Sequence, residues 1–298
     1  MTHGAPVALR WRLRRSELTL DRPRVLGIVN VTPDSFSDGG RFLAPDAAAE
    51  RAETLVVEGA DLLDVGGEST RPQGATPVTV AEELRRVMPA LEAIHARLPH
   101  VPLSIDTVKS EVAAAALDAG VDIVNDVSGF RIDPRMAGVC AANGAAVILM
   151  HSRGAVSDMA TFVHAAYDDV ATDVIDELTA RRDGALRAGI APERIALDPG
   201  IGFAKRAEHS LAMLAALPRL TSLGHPVVVG VSRKRFIGEI TGVGEPARRV
   251  HGTTGANVAA LARGARLFRV HDVRAAREAL DVAWAIMQAE AAAMEVGA

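Results

Sequence analysis

The fold class this sequence predicts is a (β/α)8 TIM barrel with a short N-terminal β-hairpin, and three observations lead to it. Eight short apolar runs alternate with helix-like segments, and each run stops beside a chemically committed polar residue. Hydrophobic residues fill 49% of the chain but aromatics only 3%, so the core must be built from Val, Ile, Leu and Ala, as layered barrel interiors are. No Pro- or Ser-rich linker and no repeat of about 20–50 residues divides the chain, so one domain is expected over 1–298, with 1–22 as an N-terminal extension.

In chain order, the basic segment 10–15 is too short for a membrane-surface anchor, and 17–20 alternates like a strand. A hairpin closing the barrel floor is therefore expected there. Strands follow at 25–31, 61–66, 103–106, 123–127, 146–151, 195–199, 227–232 and 267–271, each short and rich in β-branched or aliphatic residues, as strands covered on both faces are. Helical patterns occupy 47–58, 80–98, 109–118, 168–188 and 247–263. Such alternation implies right-handed crossovers and a parallel sheet. Loops 32–45 and 69–80 are long and dense in Gly, Pro, Ser, Thr and Asp, and their place after early strands puts them at the catalytic face.

A net charge of −4 with both signs mixed offers no basic face for nucleic acid and no polybasic membrane anchor. Residues 1–24 lack a continuous apolar core, and no run of about 18 apolar residues occurs, so a cytoplasmic protein acting on small molecules is expected. Cys140, the single cysteine, excludes an internal disulfide and reads as a small buried hydrophobe. No His or Cys cluster has zinc spacing, and no glycine pattern matches a Walker or dinucleotide loop.

The strand ends carry Asn30, Glu68, Asp106, Asn125, His151, Asp198, Lys234 and the pair Arg269 and His271. Asp198 stands in Leu-Asp-Pro-Gly-Ile-Gly-Phe, where the glycines leave space for a ligand and a carboxylate can accept two hydrogen bonds from an N–C–N edge; capping a helix is the alternative. Asp106 poses the same choice. Asn125 lies in an apolar run where a buried amide needs partners, and since adjacent strand residues face opposite ways, one of Asn125 and Asp126 points inward. One of Arg233 and Lys234 should also enter the site. A lysine there acts as a cationic donor or as a Schiff-base amine, and its cationic neighbours favour the donor. Arg269 and His271 share a strand face and look like a pyrophosphate clamp. Asn30 offers a hard amide oxygen for Mg²⁺ beside a diphosphate, or else ties down the first loop. His151 either lines the pocket or is structural.

Seven ordered motifs then carry a resemblance: GIVNVTPDSFSDGG at 27–40, DVGGESTRP at 64–72, SIDT at 104–107, NDVSG at 125–129, LDPGIGFAK at 197–205, GVSRKRFIG at 230–238 and RVHDV at 269–273. From about residue 25 to 285 the chain resembles the dihydropteroate synthase family of pterin-binding TIM barrels. The resemblance implies a folate-pathway transferase, homodimeric, that condenses hydroxymethyl-dihydropterin pyrophosphate with p-aminobenzoate in the presence of Mg²⁺. It implies that Asp106, Asn125, Asp198 and Lys234 hold the pterin, that Asn30, Arg269 and His271 handle pyrophosphate with Asn30 on Mg²⁺, and that Asp106, Lys234, Arg269 and His271 are catalytic. Phe36, Thr70, Arg71 and Pro72 would cover p-aminobenzoate, where sulfonamides would compete.

Departures from the family pattern include an inserted Gln73 beside that last pocket, Ser152 in Met-His-Ser-Arg, Ser210 after Glu-His, and Arg235 where Ser is frequent. None removes a residue assigned to chemistry. Two rival readings share part of the pattern. A barrel passing a methyl group from methyl-tetrahydrofolate to a corrinoid needs no pyrophosphate clamp, and a catalytically silent pterin-binding paralogue has no reason to keep two long lids.

Overall fold

The structure, a computed structural model, describes residues 9–32, 45–68 and 78–296. Two short antiparallel strands, β1 (Arg10–Arg12) and β2 (Glu17–Thr19), form the expected hairpin. Eight strands follow: β3 (Arg24–Asn30), β4 (Leu62–Gly66), β5 (Leu103–Asp106), β6 (Ile123–Asp126), β7 (Ala146–Met150), β8 (Ile195–Asp198), β9 (Val228–Val229) and β10 (Leu267–Val270). All pair in parallel in the order β8-β7-β6-β5-β4-β3-β10-β9, and a parallel bridge between Leu197 and Val227 joins the two ends into a barrel.

Helices run between the strands: α1 (Pro45–Val57), α2 (Val80–Arg97), α3 (Ser110–Asp118), α4 (Met136–Ala142), α5 (Val170–Arg187), α6 (Ala207–Ala215), α7 (Leu217–Thr221), α8 (Arg235–Thr241), α9 (Val250–Leu261) and, last, α10 (Val273–Val296). Local chemistry sets their ends. Thr79 accepts the Glu82 N–H to start α2, Asp169 accepts the Thr172 N–H to start α5, and Gly242 closes α8 in the left-handed region.

The largest difference from expectation is β9, which covers two of the six residues predicted at 227–232. Beyond Val229 the chain turns over the mouth, with the Lys234 N–H on the Val231 carbonyl, so the apolar run continues as a turn. Helix α9 also starts later than predicted, because Pro246 opens a separate short turn before it.

Alternation along each strand separates two environments. Val25, Val29, Val65, Ile105, Val124 and Phe268 pack outward with the helices. Leu26, Leu62, Ile123, Ala196, Val228 and Leu267 fill the lower lumen against Trp11, Leu13 and Leu20 from the hairpin, which therefore plugs the floor. Trp11 is fully buried and its indole N–H reaches the Arg194 carbonyl at 3.0 Å; truncating such a side chain to Ala costs about 3–5 kcal/mol. Moving from those lumen positions toward the C-terminal strand ends, the same parity delivers Asn30, Asp64, Asn125, Asp198 and Arg269 to the upper lumen, and Asp106 follows from outward Leu103 and Ile105. The apolar floor thus fixes where the polar mouth must be.

Candidate active site

Arg269, from β10, spans the mouth. Its Nε donates to Asp64 Oδ2 at 2.6 Å and its Nη2 to Asp106 Oδ2 at 2.7 Å. Asn125 Nδ2 donates to the same Asp64 oxygen at 3.0 Å. Asp64 is fully buried, and its second oxygen has no partner among the described residues. A buried acceptor left unpaired costs on the order of 1–3 kcal/mol, so a ligand N–H is its natural complement. Burial pushes the Asp106 carboxyl up to about 7, while Arg269 pulls it down and the Asp64 charge adds to the rise. Burial also opposes the charge on Arg269, but Asp64 and Asp106 outweigh it and hold the guanidinium cationic beyond its ordinary range.

Asp198 closes β8 and turns one oxygen toward the Gly200 N–H at 2.7 Å, leaving Oδ2 for a ligand. It caps no helix, since α6 begins at Ala207, and Asp106 caps none either, since Lys109 precedes α3. Burial raises the Asp198 carboxyl to about 6, opposed by that N–H and by Lys234. Gly200 is at φ +63°, and a Cβ there would collide with the His151 carbonyl oxygen, so the turn accepts only glycine.

Of Arg233 and Lys234, the lysine enters the site. Its ammonium lies 3.9 Å from the centre of the Phe203 ring, a cation–π contact inside the mouth. Burial and then Arg269 lower it to about 8, with Asp198 and Asp106 resisting. Arg233 turns away at φ +59° into a bidentate pair with Asp272 at 2.9 and 2.6 Å. Asn125 likewise takes the lumen, whereas Asp126 faces outward and accepts the Ser128 and Phe130 N–H groups.

His271 follows Arg269 on the same face, as expected. Ser232 Oγ accepts the His271 backbone N–H at 3.1 Å and sits 2.9 Å from Nδ1, a contact that fixes the plane of the ring. Burial, then Arg269 and Arg233, lower this imidazole to about 3. Burial and its cationic neighbours thus hold His271 toward the neutral imidazole.

Asn30 ends β3 beside Gly66 of β4, half-buried, with no side-chain hydrogen bond among the described residues. Among the described residues no group of three or more His, Cys, Asp or Glu side chains could hold a metal. The donor set therefore fits a hard cation only where diphosphate and water complete its shell, which is how Mg²⁺ usually binds. Phe36, Thr70, Arg71 and Pro72 lie outside the described residues. At the border of 69–77, Glu68 accepts the Val78 N–H at 2.8 Å and the Lys109 ammonium at 2.7 Å, which places Glu68 beside the lumen cluster instead of in it. His151 is buried beneath the loop after β8, so its role there is structural.

Four contributors escaped sequence reasoning: Asp64, Phe203, Lys205 and Ser232. Asp64 was legible, because a carboxylate within Leu-Leu-Asp-Val-Gly raises the same burial problem that singled out Asn125. The other three act from turns, where no periodicity reports direction.

Residues 26–271 match the sequence profile of the pterin binding enzyme family. The dihydropteroate synthase of Synechocystis sp. is 46% identical over 265 residues, covering 89% of this chain and 90% of that protein. Among solved structures, Xanthomonas albilineans dihydropteroate synthase with 4-aminobenzoic acid superposes with a TM-score of 0.87 at 48% identity, over 95% of this chain and 99% of that one. The same enzyme in complex with 7,8-dihydropteroate gives 0.84 at 46% identity, over 94% and 99%. With barrel, hairpin, ordered motifs and mouth in agreement, the chain belongs to the dihydropteroate synthase family of pterin binding enzymes.

Proposed function

We propose that this mouth condenses 6-hydroxymethyl-7,8-dihydropterin pyrophosphate with p-aminobenzoate to give 7,8-dihydropteroate and pyrophosphate. The observation that carries the reading is the convergence of Asp64, Asp106, Asn125, Asp198, Lys234 and Arg269 on one lumen. Asp198 Oδ2 and Asn125 Oδ1 remain available to the N–H edge of the pterin, and Lys234 donates to a ring acceptor while Phe203 backs it.

Departure of pyrophosphate leaves positive charge on the pterin methylene and ring, which Asp106 and the unpaired oxygen of Asp64 stabilise. Arg269 meets the negative charge that leaves, and His271 offers it a ring N–H. Asn30 would hold Mg²⁺, whose contribution is to neutralise diphosphate oxygens as their charge grows. The arylamine is nucleophilic as the neutral amine, so the site requires no strong base. Phe36, Thr70, Arg71 and Pro72 belong to this proposal as the cover over p-aminobenzoate.

The proposal includes a homodimer joined through an apolar groove of about 490 Å³ among α6, α8 and α9, where Leu211 and Ile240 stand exposed. It also places the chain in the cytoplasm; among the described residues no helix is long and apolar enough to cross a membrane. Mixing both substrates with Mg²⁺ and following pyrophosphate tests the chemistry. Release that requires the arylamine is expected; pterin binding by calorimetry without any release would overturn it.

A further inference from the structure

We propose that Lys205 is a positioning residue for this reaction: by gripping the loop that follows β8, it sets both the Asp198 carboxylate and the Phe203 ring that backs Lys234. The inference rests on the condensation proposed above.

The chain has three lysines among 33 basic residues, Lys109, Lys205 and Lys234. Lys205 is 1% exposed. Taking an ammonium out of water is costly unless its protons are all used, and here they are. Its three donors meet three acceptors, His151 Nδ1 at 2.9 Å, the Gly200 carbonyl at 3.2 Å and the Phe203 carbonyl at 3.3 Å. A flat guanidinium fork does not match three convergent acceptors, whereas a compact ammonium does.

Both carbonyls belong to residues whose other atoms face the site. The Gly200 N–H holds Asp198 Oδ1, and the Phe203 ring lies under the Lys234 ammonium. Gly200, Gly202 and Ala204 are all left-handed, at φ +63°, +79° and +46°. For a residue with a Cβ that conformation costs on the order of 1 kcal/mol or more, so the segment needs external restraint. Lys205 supplies it from within, while Met159 accepts the Ala204 N–H at 2.7 Å and Tyr167 donates to the Ala204 carbonyl at 3.0 Å.

His151 anchors the grip to the neighbouring strand. Its N–H reaches the Asp198 carbonyl at 2.9 Å, and its Nε2 is 3.1 Å from Glu177 Oε2. Burial, then Lys205, lower the imidazole to about 3, so Nδ1 stays free to accept. Burial brings the lysine to about 7, with Asp198 holding it up. The three hydrogen bonds of the Lys205 ammonium all go to protein atoms, so its effect travels through the loop.

Lys205→Met tests this by steady-state kinetics for each substrate, with calorimetry of pterin pyrophosphate. A rise of about tenfold or more in the pterin KM and Kd is expected, by analogy with the loss seen when a residue orienting a functional side chain is removed, and a smaller change in the p-aminobenzoate KM. A variant that melts earlier but turns over normally per folded molecule would make the role merely structural and overturn the inference. Should the variant not fold, the unaltered protein still decides. With ¹⁵N-lysine only three side-chain signals exist, Lys234→Arg assigns one and Lys109→Arg another, and the Lys205 signal is expected to shift on saturation with pterin pyrophosphate. A Lys205 signal indifferent to the ligand overturns the proposal. If the unaltered protein releases no pyrophosphate, the condensation reading fails instead, a result distinct from either outcome.

Discussion

Arg269 is bound to Asp106, Nη2 to Oδ2 at 2.7 Å. The cation that would meet pyrophosphate and the carboxylate that would face the pterin are thus one ion pair, joined to Asp64 on the far side. Charges already fixed by their partners need little reorganisation when the bond breaks. Asp106→Asn keeps the shape and removes the charge. Its kcat is expected to fall about 10²–10³-fold, with pterin affinity changing less. Unimpaired turnover in a pyrophosphate-release assay would remove Asp106 from the mechanism.

The pH profile follows from three buried groups of the mouth, with Lys205, lowered to about 7, adding to the alkaline limb. Asp198 and Asp106 are raised to about 6 and 7, so their anions are lost as pH falls through that range, whereas Lys234, lowered to about 8, loses its proton as pH rises through it. For the free enzyme, kcat/KM is therefore expected to peak between about 7 and 8 and decline on both sides. Lys234→Arg should push the alkaline limb upward, because a guanidinium stays charged there. A flat profile from pH 5 to 9 would contradict these assignments.

Asp64 shows both what the sequence discloses and what it withholds. The barrel was legible because strands covered on both faces read as apolar runs, and the inward parity of Asn125, Asp198 and Arg269 follows from period two once a floor residue is placed. What sequence could not supply was pairing across the lumen: Asp64 and Arg269 are 205 positions apart, yet bonded at 2.6 Å. Nor could it set charge state. Nothing in Arg-Val-His-Asp tells that burial, with Arg269 and Arg233 beside it, lowers the His271 imidazole to about 3.

That pairing gives Asp64 a testable weight. Asp64→Asn can keep one amide oxygen for Arg269 and Asn125, but it removes the negative charge and sets an N–H where Asp64 has its unpaired oxygen. Charged hydrogen bonds are worth about 1.5–3 kcal/mol, so kcat/KM is expected to fall roughly ten- to a hundredfold. Thermal unfolding should register the change too. Wild-type kinetics in this variant would mean that Asp106 alone holds Arg269.

Divalent metal dependence tests Asn30. Because the described residues offer no cluster that could hold a cation alone, a chelator should abolish turnover and added Mg²⁺ should restore it fully. Asn30→Ala is expected to raise the Mg²⁺ concentration needed for half-maximal rate severalfold while leaving pterin binding in metal-free buffer unchanged. Full activity in excess chelator would exclude the cation from the reaction.

The groove among α6, α8 and α9 is lined mostly by apolar side chains. Leu211, Leu214, Phe236, Ile237 and Ala256 line it, and Ile240 stands 59% exposed at its edge. Exposed apolar surface of this kind marks an interaction site, and a two-fold pairing lets one patch satisfy itself. Ile240→Glu places a charge where a second copy would bury it, which an interface core rarely tolerates. Sedimentation should then report a dimer for the unaltered protein and a monomer for the variant. Because α8 begins at Arg235, directly after Lys234, loss of pairing is expected to raise the pterin KM as well. A protein that sediments as a monomer without substitution would leave the groove without this role.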